Sequence, residues 1–193
     1  MDPQPQVTPA MTGTSRTICV FCGAKSGNDP RWILEASAFG RALAARGWAL
    51  VYGGGNVGLM GALADGALSA GGEVIGVIPH KLMQRELAHR GLSRLEVVSD
   101  MAERKTRMIA ISDAFVALPG GLGTLDELFE VLTLAQVGYH RKPMVMHNQA
   151  GYWDGLLAVC RSMADSGFVH PGELALLRSC GTIEDTLAAA AQD

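Results

Sequence analysis

The run Pro119-Gly120-Gly121-Leu122-Gly123-Thr124-Leu125-Asp126-Glu127 gathers more chemistry than any other stretch of this chain. Its glycines at 120, 121 and 123 let the backbone approach a ligand closely and take φ > 0 without steric cost. Before it lies the apolar run Ala114-Phe115-Val116-Ala117-Leu118, which reads as a buried strand. After it, Leu125, Leu128, Leu132 and Ala135 share one face at helical spacing. A strand therefore runs through a glycine turn into a helix. The first turn of such a helix offers unpaired N–H groups and the positive end of the dipole, which together bind phosphate. The spacing is not a P-loop, because no Gly-Lys-Ser/Thr follows, and it is not the dinucleotide G-x-G-x-x-G. Glu127 has two readings. Thr124-x-x-Glu127 is the spacing of a capping box, and the same carboxylate is placed to face a ligand held by the turn.

Two further groups of residues belong to the same argument. Gly53-Gly54-Gly55-Asn56-Val57-Gly58-Leu59-Met60-Gly61 is a second glycine-rich turn, entered from the apolar run Ala49–Tyr52. Arg104 and Lys105 sit in the first turn of a helix opened by Asp100-Met101-Ala102-Glu103, which has capping-box spacing with Asp at its head. Cations at that end oppose the helix dipole. Either an anion shares their site or they are simply solvated. The segment His80 to Gly91 carries Lys81, Arg85, Glu86, His89 and Arg90. It reads as a surface loop, although it leaves the carboxyl end of a strand, where ligands bind in open α/β sheets.

Positioning these groups falls to a regular framework. Runs at 17–21, 49–52, 73–78, 95–98, 114–118 and 143–146 read as strands, and amphipathic stretches between them read as helices. Asp29-Pro30 starts the first helix and Gly47 stops it. A helix spans 153–163, Pro171 begins a short polar turn, and Thr182 is the N-cap of a final alanine-rich helix. Strands alternating with helices predict an α/β fold, with a mainly parallel sheet flanked by helices on both faces.

Composition narrows the function. The chain has 193 residues and 48% hydrophobic content, enough for one full core. Its net charge of −3 gives no basic field for nucleic acid. No apolar run reaches the ~18 residues a membrane span needs. Residues 1–16 are rich in Pro, Thr and Gln without the marks of a signal peptide, so they are expected to form a flexible tail before a single domain at 17–193. Four cysteines do not make a disulfide scaffold, and a cytoplasmic setting is expected. Cys19-x-x-Cys22 lies partly inside the first strand, so Cys19 is read as core. No second Cys pair or His pair completes a zinc site, and no metal is expected.

The run Pro119 to Glu127 matches the P-G-G-x-G-T-x-x-E signature, and the chain resembles the Lonely-guy (LOG) family of cytokinin riboside 5′-monophosphate phosphoribohydrolases. Many members once carried the label lysine decarboxylase. The likeness extends from Ile18 to about Phe168. It includes Cys19-Val20-Phe21-Cys22-Gly23, Val51-Tyr52-Gly53-Gly54-Gly55, Val57-Gly58-Leu59-Met60-Gly61, Arg85-Glu86-Leu87 and Asp100-Met101. The resemblance implies a Rossmann-like three-layer domain, a homodimer, and no cofactor. It implies hydrolysis of the N-glycosidic bond of adenosine 5′-monophosphate or its N6-modified forms, to free base and ribose 5-phosphate. It makes Arg104 and Glu127 the catalytic pair. It makes Glu86, Lys105, Gly120, Gly121, Leu122, Gly123 and Thr124 substrate contacts, with Gly53, Gly54 and Gly55 in the pocket wall. Ala24-Lys25 stands where the family often has Ser-Ser, Asn56 where Ser is common, and Leu122 where Tyr is frequent. These departures bear on base preference and on the pocket near Lys25, not on the pair. The rival expectation is a nucleotide or molybdenum-cofactor carrier on the same framework, which binds without turnover. A pyridoxal-phosphate decarboxylase is disfavoured, because the chain has no Ser-x-His-Lys type lysine site.

Overall fold

A computed structural model describes residues 16–83 and 87–192. Among the described residues, seven strands form one sheet: β1 (Thr17–Phe21), β2 (Ala49–Tyr52), β3 (Val74–Pro79), β4 (Arg94–Val98), β5 (Ala114–Ala117), β6 (Met144–His147) and β7 (Leu177–Cys180). The helices that connect and cover them are α1 (Arg31–Ala45), α2 (Gly58–Ser69), α3 (Met101–Ala110), α4 (Leu122–Gln136), α5 (Asp154–Asp165), α6 (Pro171–Leu174) and α7 (Ile183–Ala190). The strand order is β4-β3-β2-β1-β5-β6-β7, and every pairing is parallel. The expected α/β architecture with a parallel sheet is therefore the one adopted.

Period-two alternation along the central strands divides the core into two layers. Ile18 and Val20 of β1 join Phe39 and Leu43 of α1, Leu63 and Ala67 of α2, and Leu187 of α7. Cys19 and Phe21 face the other way, onto Met108 of α3, Leu128 and Val131 of α4, and Trp153. Cys19 and Cys22 thus belong to opposite layers, and all four cysteines are unpaired. Burial pushes both thiols far above their usual range. They are core side chains, as read for Cys19.

The order of strands fixes where a ligand site can form. From β1 the chain winds outward through β2, β3 and β4, then returns to β5 on the other side of β1. The crevice between the carboxyl ends of β1 and β5 is the switch point, the place where open α/β sheets bind ligands. Both the exit of β1 at Cys22-Gly23 and the glycine run after β5 lie there, joined by a bond from Gly23 N–H to the Pro119 carbonyl at 3.1 Å.

Several local expectations need correction. Strand β7 was not expected; Leu177-Arg178-Ser179-Cys180 has one buried side chain, and only its pairing with β6 at the sheet edge makes it a strand. The turn at Pro171 is a four-residue helix, capped by His170 and Glu173 in a capping box. Asp100 caps α3 through Glu103 N–H as expected, but the Glu103 carboxylate bonds Ser99 instead of closing the box. The expected tail at 1–16 lies, except for Arg16, outside the described residues.

Candidate active site

Helix α4 begins earlier than its apolar spacing suggests. Its N-cap is Gly121, extended at φ −100° and ψ −152°, with no side-chain cap. Thr124 is therefore the third helical residue, and Glu127 lies in the second turn. The capping-box reading of Glu127 fails on this geometry, because Thr124 is not the cap. The uncapped amides of the first turn open onto a cavity of about 860 Å³, within the ~300–1,000 Å³ range of small-molecule sites. Its wall includes Cys22 to Asn28, Gly53, Arg104, Pro119 to Thr124, Glu127 and Tyr152.

Arg104 and Glu127 reach this cavity from neighbouring helices, α3 and α4, on one face of the sheet. Arg104 rises from α3 and is 5% exposed; Glu127 is 9% exposed. The guanidinium donates from Nε to the Val77 carbonyl at 3.1 Å and from Nη2 to the Gly53 carbonyl at 2.9 Å. It thereby bridges the ends of β2 and β3, using the fixed donor fork that only arginine has. Its Nη1 faces Glu127 Oε1 at 4.0 Å, an ion pair slightly too long for a direct hydrogen bond. Two strand carbonyls thus hold the cation in a fixed place, and the cation faces the carboxylate. Glu127 is the one carboxylate among the described residues lining the cavity.

Close approach requires glycine at two of these positions. A Cβ on Gly53 would run into Arg104 Nη2. Gly53→Ala is therefore expected to push the guanidinium off its carbonyls and to destabilise the fold by ~1–3 kcal/mol as an overpacked site; thermal unfolding beside the wild type measures it. A Cβ on Gly120 would strike Thr124 Oγ1 and sit 2.9 Å from Gly23 N. Glycine there lets the loop after β5 lie against the exit of β1.

The remaining sequence-derived residues divide cleanly. Gly120, Gly121, Leu122, Gly123, Thr124 and Gly53 line the cavity with the pair. Lys105 does not. One residue along a helix turns the side chain by about 100°, so Arg104 and Lys105 cannot share a direction. Lys105 bonds Asp126 at 3.2 Å and Glu130 at 3.1 Å, tying α3 to α4. Gly54 and Gly55 also stay off the cavity wall. They receive the segment that follows β3: His89 N–H donates to the Gly54 carbonyl, and Gly55 bridges Ala88. Glu86 lies outside the described residues. Among the described residues no group of three or more His, Cys, Asp or Glu is placed to hold a metal ion.

Sequence reasoning missed one wall. Trp32 and Tyr152 meet edge to face, with ring centroids 5.5 Å apart, and both line the cavity. The Tyr152 hydroxyl donates to the Gly120 carbonyl at 2.6 Å, which fixes the orientation of the Gly120–Gly121 peptide. Tyr152 is far from the glycine run in sequence, and no spacing rule connects them. The one signal in the sequence was that Asn28 to Trp32 lies in the loop and helix start that follow the first strand.

Comparisons with known proteins place the chain in a family. Residues 60–190 match the family described as possible lysine decarboxylase. A cytokinin riboside 5′-monophosphate phosphoribohydrolase of Rhodococcoides fascians is 45% identical over 177 residues, covering 91% of this chain and 89% of that protein. A protein of the same name from Arabidopsis thaliana is 46% identical over 156 residues, covering 81% of this chain and 72% of its own. Among solved structures, the molybdenum cofactor carrier protein of Chlamydomonas reinhardtii superposes with a TM-score of 0.70 at 24% identity, over 91% of this chain and 95% of that one, a likeness of fold. Among the described residues no helix is long and apolar enough to cross a membrane. With the signature run folded onto one cavity and relatives this similar along nearly its whole length, the chain belongs to the LOG family.

Proposed function

We propose that this protein hydrolyses the N-glycosidic bond of adenosine 5′-monophosphate and N6-substituted adenosine 5′-monophosphates, releasing the base and ribose 5-phosphate. The observation that carries the reading is the buried Arg104–Glu127 pair, which shares one cavity with the uncapped amides of α4. The names of the relatives point to the same reaction.

In this reading the 5′-phosphate sits on the first-turn amides of α4, where the dipole favours an anion. Cleavage of the C1′–N bond builds oxocarbenium character on the ribose. The Glu127 carboxylate faces that charge and orients, then deprotonates, the water that adds to C1′, while the base departs with the electron pair of the broken bond and takes up a proton. Arg104, held by two carbonyls, keeps the carboxylate in place. Trp32 and Tyr152 supply an apolar wall suited to a base. Both thiols near the site are pushed up by burial, which disfavours a cysteine nucleophile.

The catalytic unit is residues 17–193, acting as a homodimer in a cytoplasmic setting. The exposed apolar side chains of Val137, Tyr139, Val159, Met163 and Phe168 support self-association, and four unpaired cysteines suit a reducing compartment.

The testing experiment is chromatographic quantification of base and ribose 5-phosphate after incubation with AMP and with isopentenyladenosine monophosphate. Equimolar products support the hydrolase. Saturable AMP binding with no base released supports a carrier instead. Tyr152→Phe removes the bond to Gly120, worth about 0.5–1.5 kcal/mol. It is expected to raise KM for AMP several-fold and to lower the melting temperature by only about 1–6 °C, as initial rates and thermal unfolding together report.

A further inference from the structure

Lys25 follows β1 at the switch point and lines the same cavity. Its backbone is wedged between the two glycine-rich turns. A Cβ on Gly58, the first residue of α2, would lie 2.5 Å from Lys25 N, and a Cβ on Gly23 would lie 3.2 Å from Lys25 O and 3.4 Å from Gly120 Cα. The same turn also bonds the loop bearing Lys25, since Leu59 N–H donates to the Gly23 carbonyl at 3.0 Å. The root of the side chain is thus fixed beside the run that opens α4, while its flexible four-carbon stem extends from an exposed position.

The charges of the cavity make this position matter. Among the described lining residues the ionic groups are Lys25, Arg104 and Glu127. Arg104 commits two donors to strand carbonyls and directs its third nitrogen toward Glu127. Lys25 forms no hydrogen bond or ion pair among the described residues. A phosphate monoester brings nearly two negative charges into a space that already holds the Glu127 carboxylate. The dipole of α4 supplies only about half a charge against it.

We propose that Lys25, which stands where the family often has Ser, is a specificity-determining residue that contacts the phosphoryl end of the substrate and sets how tightly this chain holds it. The ammonium caps the phosphoryl group from the β1 side while the α4 amides hold it from the β5 side. This assignment rests on the hydrolase reading for its kinetic test, but its binding test is independent of turnover.

Wild type, Lys25→Ser and Lys25→Arg are compared with AMP and adenosine as substrates at low and high salt. Lys25→Ser is expected to raise KM for AMP about tenfold, as loss of one charge-assisted bond does. It should change kcat by less than about twofold, leave adenosine turnover as it was, and flatten the rise of KM with salt. Lys25→Arg should restore KM to within about threefold. An unchanged KM and salt dependence in Lys25→Ser overturns the proposal, as does an equal loss on adenosine, which marks a structural role. The same three proteins are titrated with ribose 5-phosphate by tryptophan fluorescence. Weaker binding by Lys25→Ser supports the assignment, and equal binding overturns it. If wild type releases no base, the hydrolase reading fails while this titration still decides the role of Lys25.

Discussion

Glu127→Gln is expected to lower base release from AMP by about a thousandfold, the midrange for removal of a positioned acid–base group. The substitution keeps the volume and one hydrogen-bonding oxygen but removes the charge that faces the developing oxocarbenium ion. AMP affinity should change by less than about threefold, because the phosphate is held elsewhere, by the α4 amides and Lys25. The fold should persist, since Arg104 keeps its two backbone acceptors at Val77 and Gly53 whether or not residue 127 is charged. Single-turnover kinetics with equilibrium binding separates the two quantities. A variant with near-wild-type turnover would assign Glu127 to structure alone.

Arg104→Ala should lower both activity and stability. It strips the donor from two strand-end carbonyls and removes the cation opposite Glu127, which is itself 9% exposed. Breaking a buried pair from one side destabilises by about 3–5 kcal/mol. For a chain of this length that is a fall in melting temperature on the order of 10 °C, with activity lost alongside. Arg104→Lys is expected to recover part of the stability and little of the activity. A point ammonium cannot serve both carbonyls and still direct a donor toward Glu127. Thermal unfolding and initial-rate assays of the two variants check this order; equal activity in Arg104→Lys and wild type would contradict it.

The parts of the molecule that could be read from sequence are those where one local rule decides the outcome. Buried runs such as Ala114–Leu118 announce strands, and alternation with amphipathic stretches announces a parallel sheet. The glycine run was legible as a turn that opens a helix with free first-turn amides, because that feature is local. The start of α4 was misplaced because Gly121, with no side chain to signal a cap, occupies the position that capping-box spacing assigns to Thr124. Lys105 was grouped with Arg104 because neighbours in sequence look alike, whereas helical rotation sends one to the cavity and the other to Asp126 and Glu130. Tyr152 and strand β7 were invisible for a different reason. Each is defined by a partner far along the chain, Gly120 in one case and β6 in the other. The strand order that creates the switch point is likewise set by long-range pairing, and only the folded sheet reveals it.

At the centre of the proposed reaction, the phosphoryl end of a nucleotide lies on the α4 amides while its C1′ atom faces residue 127. The most direct test is a crystal structure of Glu127→Gln with intact AMP bound. The prediction is a phosphoryl group within hydrogen-bond distance of the amides at Leu122 to Thr124, the purine beside Trp32 and Tyr152, and a water between the substituted side chain at position 127 and C1′. A nucleotide bound in the reverse sense, with its base at position 127 and its phosphate away from the α4 amides, would contradict the proposed mechanism.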